Sequence, residues 1–593
     1  PPWEKDTSRQ FCYNPRTMFH IHDALDDATR SELAEFDDLV AGLLARRGIK
    51  TAEEAQAFLS PSYEEHIGNP MHILNMPKAA ARIAGAINSG ERITVWSDYD
   101  CDGIPGGVVL HDFFKKAGAN FDNYIPHRHN EGYGVNISGI EKLAQEGTKL
   151  IITVDSGITD NEAVARAKEL GMDVIVTDHH LPTDTLPDAF AVIDPKQKGD
   201  TYGSYELCGA GLAWKTVCAV LAHGFTGREN IPPGWEKWLL DMAGLATIAD
   251  MVPLVGENRV IAKYGLMVMR KSTRIGLMKL CRAARVEQKS ITEDDVGFML
   301  APRVNAASRM GDPRDAFRLF TTSDEAEADQ LAKSLEAANR SRRAAAGAIT
   351  KAVHEKIEKR RTQGTLPAVI ALGDPDWRPG LLGLVASGIS EEYERPVFLW
   401  GREGSDVLKG SCRGGPGKVH VVELMTAAGD AIADFGGHSA AGGFSVAPER
   451  VHELETRLCE AFSTLSHASI DPFENADAQI APHEATHSLL GKVERLAPFG
   501  MGNPKPVFAM RDVVIKEVAW FGKSGEHLRL RLEPSADDFD EKVMEGIAFY
   551  ARRELGKICD SLDAGKSATV LASLERDMFA RGRPVRLRLV AVA

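Results

Sequence analysis

The stretch Ile93 to Gly107, "ITVWSDYDCDGIPGG", sets an apolar run of strand length before a turn that carries aspartates at three alternate positions, Asp98, Asp100 and Asp102. Side chains two apart on an extended segment point the same way, so these carboxylates share one face and repel one another unless something positive lies among them. A cation, a basic side chain or water could relieve that repulsion. The residues that follow, "GGVVLHDFFKKAG", have helical patterning.

Outward from this point the pattern repeats. Strand-length apolar runs, "KLIITV", "DVIVT" and "AFAVI", alternate with amphipathic stretches such as "NEAVARAKELG" from Arg92 to about Val255. Such alternation indicates an α/β region, a parallel sheet covered by helices on both faces. Ligands in such sheets bind beyond the carboxyl ends of the strands.

Acids and histidines recur at those ends. "LIITVDSGI" places Asp155 just past an apolar run, "DVIVTDHHLP" does the same with Asp178, His179 and His180, and "LATIADMVPL" puts Asp250 after a helical apolar stretch. A single aspartate at a strand end is usually a turn former or a helix cap. The whole set, converging at one sheet edge, points instead to metal ligation. Carboxylates and imidazole without thiolates suit Mn²⁺ or Mg²⁺ better than zinc or copper. Two such ions sharing a carboxylate could activate a water for in-line attack on a phosphate.

Composition bounds these readings. With 593 residues the chain exceeds one hydrophobic core, and about 150 residues per domain implies three or four units. It is 44% hydrophobic and 26% charged, as ordinary globular proteins are. No apolar run reaches the roughly 20 residues that span a bilayer, and "PPWEKDTSRQFCYN" lacks the apolar core of a signal peptide. The opening proline in place of methionine suggests a start inside a longer product or a trimmed chain. Eight scattered cysteines, none in a C-x-x-C pair, argue for a reducing, cytoplasmic setting and against a structural zinc site. The net charge of −14 repels nucleic acid globally, so any nucleic-acid contact needs localised basic patches or metal ions.

The ordered set "SDYDCDG", "VDSGIT", "TDHH" and "IADMVPL" resembles the four motifs of the DHH phosphoesterase superfamily. Within it the chain is similar to the RecJ family of single-strand-specific DNA exonucleases over nearly its whole length. "LLARRGIKTAEEAQAFLSP" resembles the N-terminal region of that family, "APRVNAASRMGD" the segment after its catalytic core, "KGSCRGG" and "GGHSAAGGFS" its DHHA1 domain, and "LAPFGMGNPKPVF" the entry to its oligonucleotide-binding barrel.

The resemblance implies an α/β fold in which a parallel-sheet DHH domain and a smaller α/β DHHA1 domain are joined by a long helix, with a C-terminal OB-like β-barrel. The expected divisions are an N-terminal helical region at 1–90, the DHH catalytic domain at 91–275, and a connecting helical region with the long linker helix at 276–365. The DHHA1 substrate-binding domain then occupies 366–470 and the OB-like domain 471–593. It implies a 5′-to-3′ exonuclease that releases mononucleotides from single-stranded DNA in repair and recombination, with two Mn²⁺ or Mg²⁺ ions. A single-stranded-DNA-binding protein or a helicase is an implied partner, and a monomer suffices because the groove lies between domains of one chain. Rival readings are a phosphodiesterase for short oligonucleotides or cyclic dinucleotides and a noncatalytic DNA-binding scaffold of the same fold.

Carried over by motif, Asp100 and Asp102 are implied ligands, Asp155 bridges two ions, and His179 and Asp250 complete one coordination sphere. His180 is implied near the scissile phosphate, with Asp178 orienting a histidine or serving the second ion. Asp98 is either a ligand or an outer acceptor. Arg303, Asn305 and Arg309 would hold a terminal phosphate or backbone, and Ser411, Arg413 and His438 would face the nucleic acid. Arg529, Arg531, Arg586 and Arg588 could line one exposed barrel face, with Trp520 and Phe521 stacking on bases. Arg340, Arg342 and Arg343 read as a solvated helix face. The chain departs from the family pattern at Ile104 to Gly107, at Ser308, at Arg378 and at Gly388, so Pro105 and its neighbours are expected to alter a helix start and a phosphate contact.

Overall fold

The computed structural model describes residues 19–593 apart from 129, 204–205, 363, 365, 403–406, 416–418, 438, 466–473, 523–524, 535–542, 578–579 and 581. Two compact units divide the chain. One comprises Glu53–Arg343 with Leu496–Pro504, and the other the residues up to Ala52, Ala344–Arg495 and Lys505–Ala593.

The first unit is built on the alternation read above. Its strands are β1 (Ile93–Ser97), β2 (Phe121–Tyr124), β3 (Leu150–Val154), β4 (Asp173–Thr177) and β5 (Ala191–Ile193), all parallel, in the order β2-β1-β3-β4-β5. Strands buried on both faces need apolar residues of both parities. Ile93, Val95, Ile152, Val154 and Ile175 pack beneath α1 (Met76–Ser89), α2 (Gly103–Ala117) and α5 (Gly209–His223), while Trp96, Ile151, Val174 and Val176 pack on α3 (Ile137–Gln145) and α4 (Asn161–Glu169). Each fully buried aliphatic side chain contributes about 1.5–3 kcal/mol, so the two faces anchor the strand ends firmly. In this strand order successive strands are added in opposite directions on either side of the β1–β3 junction, the switch point outside whose carboxyl ends parallel sheets open a crevice.

Three further helices complete the surroundings: α6 (Leu240–Ala249), α7 (Gly256–Met269) and α8 (Ala301–Met310). Arg259 of α7 is buried and donates to the carbonyls of Phe58, Leu496, Ala497 and Pro498, which fixes the "LAPFGMGNP" segment to this unit. A buried ion pair between Lys215 of α5 and Glu257 of α7 ties those two helices, and Glu257 also accepts from the Tyr202 hydroxyl at 2.6 Å and the Gly68 N–H at 3.0 Å. The proline-free segment forms one 37-residue helix, α9 (Glu325–Arg361), and the boundary between the units falls inside it after Arg343.

The second unit holds a five-stranded sheet of β6 (Ile370–Gly373), β7 (Val397–Gly401), β8 (Leu408–Arg413), β9 (Asp434–Gly437) and β10 (Ala441–Val446), in the order β9-β10-β8-β7-β6. Only β6 and β7 run parallel, joined across α10 (Pro379–Tyr393). It also holds a closed barrel of β11 (Phe508–Phe521), β12 (His527–Glu533), β13 (Met544–Ala548), β14 (Ser567–Arg576) and β15 (Val585–Val592). The long β11 shifts register twice and so pairs with both β12 and β14, which closes the ring.

In β12 the leucines 528, 530 and 532 are buried while Arg529 and Arg531 face outward, 3.7 and 3.6 Å from Glu517. Arg586 corrects the expected exposed stripe: it is buried and bonded to Glu575 at 2.6 Å and Asp577 at 3.1 Å, because it turns inward on β15. Arg588 lies with its guanidinium 4.4 Å from the Phe549 ring. Trp520 and Phe521 are both more than one-third exposed, with Arg552 stacked 5.0 Å from Trp520. On the long helix Arg340 and Arg343 are solvated as expected, but Arg342 is half-buried and bonds Asn339 at 2.9 Å.

Candidate metal centre

Three of the acids, Asp98, Asp155 and Asp178, converge because each follows its strand by one residue. The N–H of Asp98 donates to the Val154 carbonyl, that of Asp155 to Thr177 and that of Asp178 to Ile193, so the three residues prolong the ladders of β1, β3 and β4 at one level. Asp155 has φ of 60° and Gly157 a φ of 109°, which turn the chain away immediately afterwards.

Asp102 sits at the start of α2, where the first turn of α5 meets it. The N–H groups of Gly209 and Ala210 donate to its two oxygens at 2.6 and 2.7 Å, the arrangement a helix N-terminus favours for an anion. The residue expected to disturb this turn does not: Ile104, Pro105, Gly106 and Gly107 are all buried in α2, whose main-chain bonds begin normally at Ile104 and Gly106. A Cβ on Gly106 would meet Val154 Cγ1 at 2.5 Å, so a glycine here lets the helix pack closely on the sheet.

Asp100 turns one oxygen onto the N–H groups of Asp102 and Gly103, at 2.7 and 3.1 Å. Oδ1 of Asp98 is buried and accepts no hydrogen bond among the described residues. His179 directs Nε2 to within 3.1 Å of Asp155 Oδ1, 3.5 Å of Asp102 Oδ2 and 3.7 Å of Asp250 Oδ2. Three overlapping donor groups result, each with its ligand atoms within 4.8 Å of one another: Asp98, Asp100 and Asp155; Asp102, His179 and Asp250; and Asp155, His179 and His180.

Such crowding has an electrostatic signature. Burial, followed by the charge of neighbouring carboxylates, pushes Asp102 up to about 7 and Asp250 up to about 9, and holds Asp98 and Asp155 well above the usual carboxylate range. Asp178 moves the other way. Burial opposes its ionisation, but His180 Nδ1 at 2.8 Å and the main-chain N–H groups of Ile158, His179 and His180 bring it below its ordinary value. The same bond raises His180 against the desolvation that would lower it.

Three features near the cluster carry no signal in the acidic motifs. Tyr133 donates its hydroxyl to the Asp155 carbonyl at 3.0 Å and lies 3.2 Å from His180 Nδ1; the glycines on either side of it in "EGYGV" were the only cue. Arg128 stacks 4.9 Å from the Tyr99 ring and its charge acts on Asp98. The third is the Gly209–Ala210 clamp within "LCGAG".

The remaining candidates divide. Asn305 accepts the Cys101 N–H at 2.9 Å and so touches the acidic turn. Arg309 is brought down to about 10, first by burial and then by the charges of Arg128 and Arg342, with Asp100 acting oppositely. Arg303 instead is buried, with its guanidinium on Glu336 at 2.7 Å and the Met299 carbonyl at 2.5 Å. Ser308 is buried on α8, while Arg378 precedes α10 and Gly388 lies within it. Ser411 and Arg413 are half-buried on β8 of the other unit, and His438 lies outside the described residues.

Comparison with known proteins places this geometry. Residues 92–247 match the DHH family N-terminal domain, residues 365–464 the DHHA1 domain and residues 476–591 the RecJ OB domain. A single-stranded-DNA-specific exonuclease RecJ from Salmonella typhimurium is 31% identical over 538 residues, which cover 88% of this chain and 91% of that protein. The chain belongs to the RecJ family. The RecJ protein of Bacillus subtilis is 36% identical over 86% of this chain, which spans only 63% of that longer relative. A crystal structure of RecJ in complex with Mn²⁺ from Thermus thermophilus superposes with a TM-score of 0.79 at 27% identity, over 97% of this chain and 79% of that one. Among the described residues, no helix is long and apolar enough to cross a membrane.

Proposed function

We propose that the chain is a metal-dependent 5′-to-3′ exonuclease that hydrolyses single-stranded DNA to mononucleotides in DNA repair and recombination. The observation that carries this reading is the set of three overlapping groups, one of carboxylates alone and two of carboxylates with histidine, at the β1–β3 crevice of a RecJ-family fold. Relatives named single-stranded-DNA-specific exonucleases and a Mn²⁺-bound RecJ structure support it.

The donors fit two Mn²⁺ or Mg²⁺ ions. Three buried carboxylates and the half-buried Asp250, whose protons are held by burial and then by mutual repulsion, one of them with an unbonded oxygen, are what a cation would stabilise. Burial pushes the Cys101 thiol well up, so it offers no thiolate to a softer metal. Asp98, Asp100 and Asp155 would hold one ion and Asp102, His179 and Asp250 the other, with Asp155 and His179 close enough to couple the two. When bound, the ions would supply positive charge against the phosphoryl oxygens and activate a water.

The protein groups do the rest. Gly209 and Ala210 hold Asp102 in one orientation. Asp178 accepts from His180 Nδ1, which keeps that nitrogen protonated and turns Nε2 toward substrate, to stabilise a nonbridging oxygen or give a proton to the leaving oxygen. Arg128 and Arg309 bring positive charge beside Asp98 and Asp100, suited to a terminal phosphate. Ser411 and Arg413 would contact the backbone, and Trp520, Phe521 and the outward Arg529 and Arg531 would receive bases and phosphates. The chain acts as a monomer in the cytoplasm, where seven described cysteines remain free, and a single-stranded-DNA-binding protein or a helicase would present its substrate.

A direct test uses single-stranded and duplex DNA labelled at either end. Release of labelled mononucleotide at once from the 5′-labelled single strand, and late from the 3′-labelled one, supports the reading. Preference for dinucleotides, equal attack on duplex, or early release from the 3′ end overturns it.

A further inference from the structure

The second unit has a cavity of about 450 Å³ that the metal centre does not use. It opens at the carboxyl ends of the parallel pair β6 and β7, where Gly373 and Trp400 lie, and is walled by Lys356, Lys359 and Arg360 from the last turns of α9 and by His452. Its size falls in the range of small-ligand sites, and its place is where parallel α/β sheets receive ligands.

The charge is unbalanced. Arg360 is paired with Glu455, whose carboxylate also accepts the Ala371 N–H at 3.0 Å. Lys356 donates to the Gly373 carbonyl at 3.1 Å and lies 3.5 Å from Asp374. His452 Nε2 lies 3.6 Å from the Glu453 carboxylate, which leaves Lys359, exposed and with no ion-pair partner among the described residues, on a chain whose net charge is −14. The aromatic wall is also constructed: a Cβ on Gly373 would meet Trp400 Cδ2 at 2.0 Å, so the indole lies directly on the glycine backbone, and that position admits no side chain.

We infer that this cavity binds a nucleobase with its attached phosphate, the ring against Trp400 and the phosphate on Lys359 with His452 beside it. A free nucleoside monophosphate and one nucleotide of a strand share that chemistry. The site is separate from the metal chemistry and stands whether or not the proposed hydrolysis is correct.

Calorimetric titration of the full chain with dAMP in EDTA silences the metal centre. Saturable binding with Kd of about 0.1–1 mM is expected, weakened about tenfold or more by Lys359→Glu and also by Trp400→Phe, with adenosine and inorganic phosphate each binding more weakly than dAMP. Lys359 is exposed, so its substitution leaves the fold intact, and a thermal melt checks Trp400→Phe. If Lys359→Glu also weakens a metal-free single-stranded 20-mer, the natural ligand is a strand nucleotide; if it affects dAMP alone, it is the free mononucleotide. Absence of saturation, an affinity untouched by Lys359→Glu, or phosphate binding as tightly as dAMP would overturn the inference.

Discussion

The main-chain N–H of Gly209 donates to Asp102 Oδ2 at 2.6 Å, and the Gly209 Cα lies so near Asp155 that an added Cβ would meet Asp155 Cβ at 2.6 Å. One glycine thus sets the spacing of two carboxylates that come from different strand ends.

Gly209→Ala is therefore expected to spread the acidic cluster without unfolding the sheet. Mn²⁺ affinity should fall by about 10–100-fold, the loss typical of disturbing groups that orient ligands. Calorimetric Mn²⁺ titration beside a far-ultraviolet spectrum checks this; an unchanged affinity would remove the clamp from the account.

Asp178→Asn addresses the second histidine. With the bond to His180 Nδ1 weakened, its imidazole loses its orientation and the stabilisation of its charged form, so kcat should drop by about 10²-fold while KM changes little. Steady-state kinetics on a short single strand measures both, and a rise in KM alone would assign Asp178 to substrate binding.

The pH dependence of stability follows from the raised carboxylates. In the unfolded chain Asp102 and Asp250 lose their protons near pH 4, whereas folding holds those protons up to about 7 and about 9. The folded state therefore binds more protons over that interval, and the metal-free protein should lose stability as pH rises from about 4 toward 9. Mn²⁺ displaces those protons, so the increase in Tm on adding Mn²⁺ should be larger at pH 8 than at pH 6. Calorimetric scans at the two pH values read it directly, and an equal or smaller increase at pH 8 would contradict it.

Lys215 and Glu257 form a fully buried ion pair between α5 and α7. Lys215→Met leaves Glu257 uncompensated and should cost about 3–5 kcal/mol, whereas Lys215→Met with Glu257→Gln should recover a large part of that. Denaturant unfolding of the two variants decides it; equal losses would mean that the pair itself, and not the stranded charge, stabilises the helices.

Much of this was legible because the physics is local. Apolar runs followed at once by an acid mark both a strand and its carboxyl end, so β1, β3 and β4 and the residues Asp98, Asp155 and Asp178 could be read together. The long helix was equally plain, since no proline or glycine signal interrupts Glu325–Arg361 strongly enough to break it. What escaped depends on chain reversal in three dimensions. Arg303 and Arg309 stand six residues apart on one helix with the same side-chain chemistry, yet one pairs with Glu336 and the other lies near Asp100. Gly209 and Ala210 serve through main-chain N–H groups, which no residue type announces. Tyr133 and Arg128 come from the connection between β2 and α3, where no periodicity fixes direction. Arg586 alternates in sequence just as Arg529 does, but pairing with Glu575 on the neighbouring strand turns it inward.

The central claim is that Asp155 joins the two donor groups into one hydrolytic centre. Mn²⁺ titration and single-strand hydrolysis, measured together on the unaltered chain and on Asp155→Ala, test it most directly. Two Mn²⁺ equivalents and rapid release of mononucleotides are expected for the unaltered chain, with tight binding of both ions and hydrolysis lost together in Asp155→Ala. Full hydrolysis by Asp155→Ala, or two ions bound to it with undiminished affinity, would contradict the account.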